Sequence, residues 1–169
     1  MPAPLLIGFL DTSALFGRAD RHQLVDVGAK YVPETGFPGV RLCWSPWVVG
    51  ELYRVLTCVC VLNRGWDKER VHKAANEMMR AMTPWVRTSD PAWPFDDIAA
   101  LHDPDDLPIW RAAAHAKAAF LVTRDFAHAP KPNKVGQRLW APTPRRPIRF
   151  VDPDEFVEIA ERFMSPYKD

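Results

Sequence analysis

Four acidic residues of this 169-residue chain follow predicted strands or begin predicted helices. Asp11 comes directly after the apolar run Leu5–Leu10, and Asp125 follows a second apolar run. Glu51 lies in the first two turns of a predicted helix, and Asp106 opens another. Converging carboxylates repel each other unless a cation lies between them. Hard oxygen ligands suit Mg²⁺ or Mn²⁺, which can activate water and neutralise charge on a phosphodiester. The four acids therefore form a candidate phosphoryl-transfer site.

Each of these acids also has a purely structural explanation. Asp11 and Asp106 could cap the helices that follow them. Glu51 could pair with Arg54 on its own helix, and Asp125 could be a turn residue. Only their convergence at one place would separate the functional interpretation from the structural one.

The surrounding elements alternate between strand and helix. Long apolar runs are typical of strands buried on both faces, as in a parallel sheet. The predicted strands are Leu5–Leu10, Arg41–Trp44, Trp85–Val86, Ala119–Thr123 and Ile148–Val151. The predicted helices are Thr12–Val27, Pro46–Leu62, Lys68–Met82, a turn or two at Asp96–Leu101, Leu107–Lys117 and a last one that starts at Asp152. This alternation predicts one α/β domain over residues 1–169, with three layers (α/β/α) and a central, mostly parallel sheet.

That architecture explains why the acids could meet. In open parallel sheets, ligands bind just beyond the carboxyl ends of the strands. Asp11 and Asp125 are expected at that edge.

Two helix starts are also well marked. Ser45-Pro46 offers a hydroxyl cap and a proline at the first helical position, and Asp152 is followed by Glu155 as in a capping box.

Composition limits the classes of protein to consider. The chain is 47% hydrophobic and 25% charged with a net charge of +1, which indicates a globular domain without a global basic character. The three cysteines, Cys43, Cys58 and Cys60, fit neither a disulfide framework nor a zinc site. The amino terminus lacks a basic region before its short apolar run, and no stretch reaches transmembrane length. We therefore expect a soluble, cytoplasmic protein.

Four short motifs, in order along the chain, resemble those of PIN-domain nucleases. They are Asp11-Thr12-Ser13-Ala14-Leu15, Ser45-Pro46-x-x-x-x-Glu51-Leu52, Asp103-Pro104-Asp105-Asp106-x-x-Ile109 and Ala119-Phe120-Leu121-Val122-Thr123-Arg124-Asp125. The resemblance runs from about Leu5 to Glu161. In the family, the third acid typically precedes an Ile or Leu by three residues, so Ile109 selects Asp106, with Asp105 as the alternative. Pro108 and Trp110 depart from the family pattern, which usually has small or helix-forming residues at these positions.

The resemblance implies a metal-dependent endoribonuclease. Many bacterial members are toxins of toxin–antitoxin pairs, similar to VapC. The implied ligands of one or two Mg²⁺ or Mn²⁺ ions, which would also make up the catalytic set, are Asp11, Glu51, Asp106 and Asp125. The residues expected to support them are Thr12, Ser13, Asp105 and Thr123. The reaction would be attack of water on an RNA phosphate.

A basic segment supplies a candidate contact for RNA. Residues 131–149 contain six basic side chains and no acid. Such a segment could bind an RNA backbone, with an aromatic ring stacking on a base, although a solvated, proline-rich loop explains it equally well. The residues predicted to contact RNA are Lys131, Lys134, Arg138, Trp140, Arg145 and Arg146.

The resemblance also suggests protein partners. An antitoxin helix could lie in a groove between the helices Pro46–Leu62 and Lys68–Met82, and homodimers are common in such proteins. No membrane partner is expected. A nucleotide-binding Rossmann domain is disfavoured because no glycine-rich turn follows the first strand. The main alternative function is a PIN scaffold without catalytic activity, which would bind RNA or another protein.

Overall fold

The computed structural model describes residues 5–16, 39–81, 83–84, 106–142 and 145–164. Its strands are β1 (Leu6–Leu10), β2 (Val40–Trp44), β3 (Thr83–Pro84), β4 (Phe120–Val122), β5 (Arg138–Trp140) and β6 (Ile148–Val151). Its α-helices are α1 (Thr12–Phe16), α2 (Pro46–Val55), α3 (Lys68–Ala81), α4 (Leu107–His115) and α5 (Pro153–Met164). A π-helical segment, Leu56–Asn63, continues α2.

The strands of the described residues form one sheet in the order β3-β2-β1-β4-β6-β5. All neighbours pair in parallel except β5, which is antiparallel to β6. The chain moves from β1 to β2 on one side, and β4 later joins β1 on the other side. Loops that leave two such strands run to opposite sides of the sheet and open a crevice between them. The carboxyl ends of β1 and β4 are therefore the expected place for a site.

Helices pack on both faces of the sheet. On one face, Phe156 of α5 packs edge-on against Phe120 of β4, with ring centroids 5.9 Å apart. On the other face, Trp110 of α4 contacts Phe150 of β6 and Trp140 of β5, with centroids 5.0 and 4.9 Å away. Because side chains alternate along a strand, these contacts lie on opposite faces. The predicted three-layer α/β/α fold with a mostly parallel sheet is confirmed.

Gly8 allows α5 to approach β1 closely. A Cβ atom at this position would lie 2.6 Å from the Phe156 ring and 3.3 Å from Leu42. Real contacts of this kind are not made at 2.6 Å, so the ring would have to move. The absence of a side chain at Gly8 thus sets the depth at which α5 packs beside the strand that leads to Asp11.

Two helix starts follow the sequence prediction in part. The Ser45 hydroxyl accepts a hydrogen bond from the Val48 N–H at 3.4 Å. Asp152 caps α5 by accepting from the Glu155 N–H at 2.8 Å. The Glu155 side chain, however, forms an ion pair with Arg149 of β6 and does not return to the cap. The capping box expected here is therefore only half formed, because the carboxylate has a cationic partner on the adjacent strand.

The structure differs from the predicted elements in three places. The helix predicted over Pro46–Leu62 changes to π-helical geometry at Leu56, in a run rich in β-branched residues that fit the α-helix less well. The basic segment predicted as a loop contains β5, an edge strand. The third difference is the strand Thr83–Pro84, which was not predicted. The predicted strand Trp85–Val86, the helical turn Asp96–Leu101 and the helix beyond Phe16 lie outside the described residues.

Burial distinguishes the cysteines. Cys43 and Cys60 are buried, and burial raises the pKa of both thiols, while Arg41 and Arg64 respectively oppose the shift. Cys58 is exposed.

In the part of the chain that the structure describes, no helix combines the length and the apolar character needed to cross a bilayer.

Candidate active site

Asp11 lies immediately beyond β1 and is held by two hydroxyl groups. The Ser13 hydroxyl donates to Asp11 Oδ2 at 2.5 Å, and the Thr123 hydroxyl donates to the same oxygen at 2.8 Å. Thr123 is 2% exposed and follows β4, the neighbour of β1. The carboxylate is therefore tied to the ends of both central strands.

Backbone groups fix the direction of both hydroxyls. The Ser13 oxygen accepts from the Arg124 N–H at 2.9 Å, and the Thr123 oxygen accepts from the Asp125 N–H at 3.1 Å. The two hydroxyl oxygens lie 2.9 Å apart. Each hydroxyl has one proton, and a proton directed at a carboxylate forms a stronger hydrogen bond than one directed at another hydroxyl. This network orients Asp11 and leaves its Oδ1 outside both of these bonds.

Glu51 reaches the same region from α2. Its Oε2 accepts the Thr12 hydroxyl at 2.6 Å, and Thr12 is itself buried. Arg54, one turn along the helix, lies 3.8 Å from Glu51 Oε1, and its side chain is 73% exposed. An exposed pair at that distance contributes little energy. The hydrogen bond from Thr12 therefore accounts for the orientation of Glu51 better than the pair with Arg54 does.

Asp106 and Asp125 lie on the other side of the site with His128 between them. His128 Nδ1 is 3.4 Å from Asp106 Oδ2 and 3.7 Å from Asp125 Oδ2. Asp106 precedes α4, but its side chain makes no capping hydrogen bond. The Asp125 side chain is 48% exposed and accepts the Ala127 N–H at 3.0 Å. The His128 side chain is 41% exposed and contacts two of the acids.

A single cleft of about 220 Å³ connects these groups. Its polar lining contains all four predicted acids together with Thr12, Ser13, Thr123 and His128. Its apolar floor includes Leu121 and Phe150 from the sheet and Trp110 from α4. The chain thus brings Asp11, Glu51, Asp106 and Asp125 to one cavity, although 40 to 114 residues separate Asp11 from the other three. Asp105 lies outside the described residues.

The acids share the cleft without forming a compact metal-binding group. Among the residues described, no three side chains of His, Cys, Asp or Glu lie close enough together to hold one ion. Each carboxylate instead has a local partner: hydroxyls for Asp11 and Glu51, and His128 for the other two. Mutual repulsion favours this separation when no cation is present. The expected convergence holds for the cleft, and closer approach would require the side chains to move.

The predicted RNA contacts separate into two groups. Trp140 is 4% exposed and packs against Trp110, so its ring faces are not available to stack on a base as expected. Arg138 donates to the Pro130 carbonyl at 2.8 Å and lies over the Phe126 ring, so it holds the loop together. The exposed basic side chains of this segment are Lys131, Lys134, Arg145 and Arg146.

Comparisons with known proteins agree with this fold. A family model described as PIN domain matches residues 35–127, which is more than half of the chain. The crystal structure of PAE2754 from Pyrobaculum aerophilum is similar, with a TM-score of 0.54 and 16% sequence identity. The similarity covers 95% of this chain and 98% of that one, and at this identity it supports the fold alone. No curated protein matches significantly.

Proposed function

Because this chain belongs to the PIN-domain family, we propose that it is a metal-dependent endoribonuclease whose cleft hydrolyses RNA phosphodiester bonds. PIN domains are in general nucleases. The observation that carries the finer proposal is that Asp11, Glu51, Asp106 and Asp125 line one cleft beyond the ends of β1 and β4. This is the position in a parallel sheet where ligands bind.

The donor set fits a hard divalent cation. Four carboxylates with neighbouring hydroxyls offer only oxygen ligands, which Mg²⁺ and Mn²⁺ prefer. Asp11, Glu51, Asp106 and Asp125 would hold the ion, directly or through water. When bound, such an ion activates a water molecule and neutralises the charge that develops on the phosphate.

The protein's own residues supply orientation and charge. Ser13 and Thr123 fix Asp11 through Oδ2, and Thr12 fixes Glu51 through Oε2. Loss of a hydrogen bond that orients a metal ligand typically lowers metal affinity or activity by about 10- to 100-fold. The apolar part of the cleft lining, formed by Leu121, Phe150 and Trp110, belongs to the buried core. These contacts favour a preorganised site on the Asp11 side.

The separation of the acids favours a second candidate, a PIN scaffold without catalytic activity. In the described part of the chain, no three potential ligands form a ready group for one ion. A scaffold of this kind would bind RNA or protein with an intact fold. The cleavage experiment below separates it from the nuclease.

We propose further that the chain acts as the toxin of a bacterial toxin–antitoxin pair, with an antitoxin protein as partner and a homodimer as its assembly. The support is the resemblance of its motifs to VapC-like toxins. Induced expression should arrest bacterial growth, and co-expression of the product of a small adjacent gene should restore it. Growth that is unaffected by expression of an active nuclease would contradict the toxin role and leave the enzymatic proposal standing.

The decisive experiment is metal-dependent cleavage of RNA. Labelled single-stranded RNA is incubated with EDTA-treated protein, to which Mg²⁺, Mn²⁺ or Ca²⁺ is then added. We expect cleavage with Mg²⁺ or Mn²⁺ and a loss of more than about 100-fold in Asp11→Asn, since a ligand should matter more than the groups that orient it. Asp67→Asn is the matched control, because Asp67 is exposed and accepts the Arg70 N–H far from the cleft. Equal cleavage by wild type and Asp11→Asn would refute the proposal.

A further inference from the structure

An exposed tryptophan lies beside the acidic cleft. Trp47, in the first turn of α2, is 51% exposed. The large hydrophobic side chains that the described residues leave exposed are Leu5, Trp47, Leu62, Val135 and Leu139. Trp47 is the one aromatic ring among them, whereas Trp140 is buried. If a ring of this protein stacks on a base, Trp47 has the accessibility that the role requires.

Helix geometry places Trp47 next to Glu51. Residues at i, i+3, i+4 and i+7 share one face of a helix, so Trp47, Gly50, Glu51 and Arg54 form a stripe along α2. Val48 and Leu52 point into the core on the opposite side. Glu51 and Val55 line the cleft. Trp47 and Arg54 are not part of that lining, but their spacing from Glu51 places them next to a residue that is.

Gly50 leaves the middle of this stripe open. A Cβ atom added at Gly50 would meet nothing within 4 Å. Packing thus does not require glycine there, and the helix loses stability through it, since glycine inside a helix costs about 0.5 to 1 kcal/mol relative to alanine. Gly50 therefore stabilises neither the packing nor the helix. It leaves a stretch of helix backbone without a side chain between the Trp47 ring and the Arg54 guanidinium group.

We propose that Trp47, Gly50 and Arg54 bind a nucleotide of single-stranded RNA next to the phosphate that is cleaved. The base stacks on Trp47 and extends over Gly50, and Arg54 contacts the adjoining backbone phosphate. Aromatic rings stack on any base and arginine pairs well with phosphate, so this contact selects single strands and tolerates sequence. The inference rests on the proposed function, because it assigns the substrate contact beside the same cleft.

The chemistry of the stripe favours nucleic acid over a protein partner. A protein interface has a contiguous apolar centre surrounded by a polar rim. Here one ring is followed by a bare backbone position and a 73% exposed arginine, on the same helix face as Glu51, which lines the acidic cleft. A nucleotide of a single strand combines the apolar face of its base with a nearby phosphate anion, which matches this arrangement.

The first test measures binding without cleavage. Fluorescence anisotropy of a labelled single-stranded RNA is recorded in EDTA for wild type, Trp47→Leu and Trp47→Phe. We expect Trp47→Leu to weaken binding about 5- to 100-fold and Trp47→Phe to retain most of it, because only the latter keeps a ring that can stack. Leu62→Ala is the control, since Leu62 is 72% exposed on the π-helical segment. With an oligonucleotide that lacks bases, Trp47→Leu should bind as well as wild type.

The second test uses substitutions whose predicted effects on RNA binding would not be expected if these residues had only a structural role. Gly50→Leu should raise the melting temperature, because leucine favours the helix, and should weaken RNA binding, because its side chain fills the stripe. Arg54→Gln should weaken binding and reduce its dependence on salt. Arg162→Gln is the matched control, since Arg162 is 75% exposed and also pairs with a glutamate of its own helix.

The outcomes separate this inference from the proposed nuclease. Metal-dependent cleavage with unchanged RNA binding by Trp47→Leu and Gly50→Leu would overturn the inference and leave the nuclease intact. Weakened binding in both variants, together with no cleavage under any metal, would support the nucleotide contact and refute the nuclease. A change of oligomeric state in size-exclusion chromatography, with RNA binding unaltered, would assign the stripe to a protein interface and overturn the inference.

Discussion

The two sides of the cleft hold their acids in different ways. On the strand-end side, defined by Asp11, Ser13 and Thr123, hydroxyls and backbone N–H groups form a closed network on the central strands. On the loop side, defined by Asp106, Asp125 and His128, the contacts between these side chains are longer, at 3.4 and 3.7 Å, and the side chains are 28% to 48% exposed. One side is held by short, partly buried hydrogen bonds, and the other by longer contacts between partly exposed side chains.

This difference indicates that the side chains of the two sides differ in how readily they rearrange. Hydrogen bonds of groups shielded from water are costly to leave unmade, so we expect the partly buried strand-end side to keep its geometry whether or not a ligand is bound. Exposed ion pairs contribute little and rearrange readily. The approach of the acids that a shared ion requires is therefore expected from the loop side, while Asp11 stays in place.

The largest effect that tests this comparison is expected for Thr123→Val. The change keeps the shape of a side chain that is 2% exposed but removes a donor to Asp11 and an acceptor for the Asp125 N–H. We expect about 10- to 100-fold slower RNA cleavage. The free energy of unfolding should fall by about 1 to 3 kcal/mol, measured by urea denaturation.

Two variants serve as controls for this change. Thr57→Val removes a hydroxyl from the contact with His72 on the helices, so it should lower stability without slowing cleavage. Thr123→Ser restores the hydroxyl and should recover most of the activity. If Thr123→Val cleaves RNA at the wild-type rate, the strand-end side does not orient a catalytic group.

A smaller effect is expected for Asp125→Asn. The amide oxygen can still accept the Ala127 N–H, so the turn is kept and only the charge is lost. We expect cleavage to slow by about tenfold at saturating Mn²⁺ and the concentration of Mn²⁺ needed for half-maximal rate to rise, because a mobile ligand contributes less than a fixed one. Asp67→Asn again provides the comparison. A loss as large as that of Asp11→Asn would mean that both sides are equally fixed.

The smallest effect is expected for His128→Ala. The His128 side chain is 41% exposed, and its pairs with Asp106 and Asp125 are of the exposed kind. Such pairs are worth about 0.2 to 1 kcal/mol, so cleavage should change less than about fivefold. Initial rates with labelled RNA give the measurement. A loss of two orders of magnitude would place His128 among the groups that act on the substrate.

Much of the fold follows from local sequence. The structure contains the strands β1, β4 and β6, which the apolar runs predict, and the start of α2, which the hydroxyl–proline pair predicts. The edge strand β5 could not be predicted, because its three residues carry no alternating pattern and pair only through β6. The π-helical segment differs from an α-helix by a small change in hydrogen bonding that apolar periodicity does not encode.

The tryptophans illustrate the limit of sequence patterns. Trp140 lies in a basic, proline-rich segment, which favours an exposed ring, yet it completes the core against Trp110. Trp47 lies in an apolar helix start, which favours burial, yet it is half exposed. Which of two tryptophans is buried depends on the face that the neighbouring element covers, and that is a property of the assembled layers.

The sequence by itself determined the order of the main strands and helices, β5 excepted, and indicated the four acids near their ends, because hydrophobic periodicity and helix caps act over a few residues. Only the tertiary structure decided which acids are held rigidly and which loosely. The contacts on the rigid side include some that join residues more than a hundred positions apart, such as Ser13 with Thr123. The same long-range packing buried one tryptophan and exposed another. Sequence sets which elements form, whereas distances between their ends depend on how the layers pack.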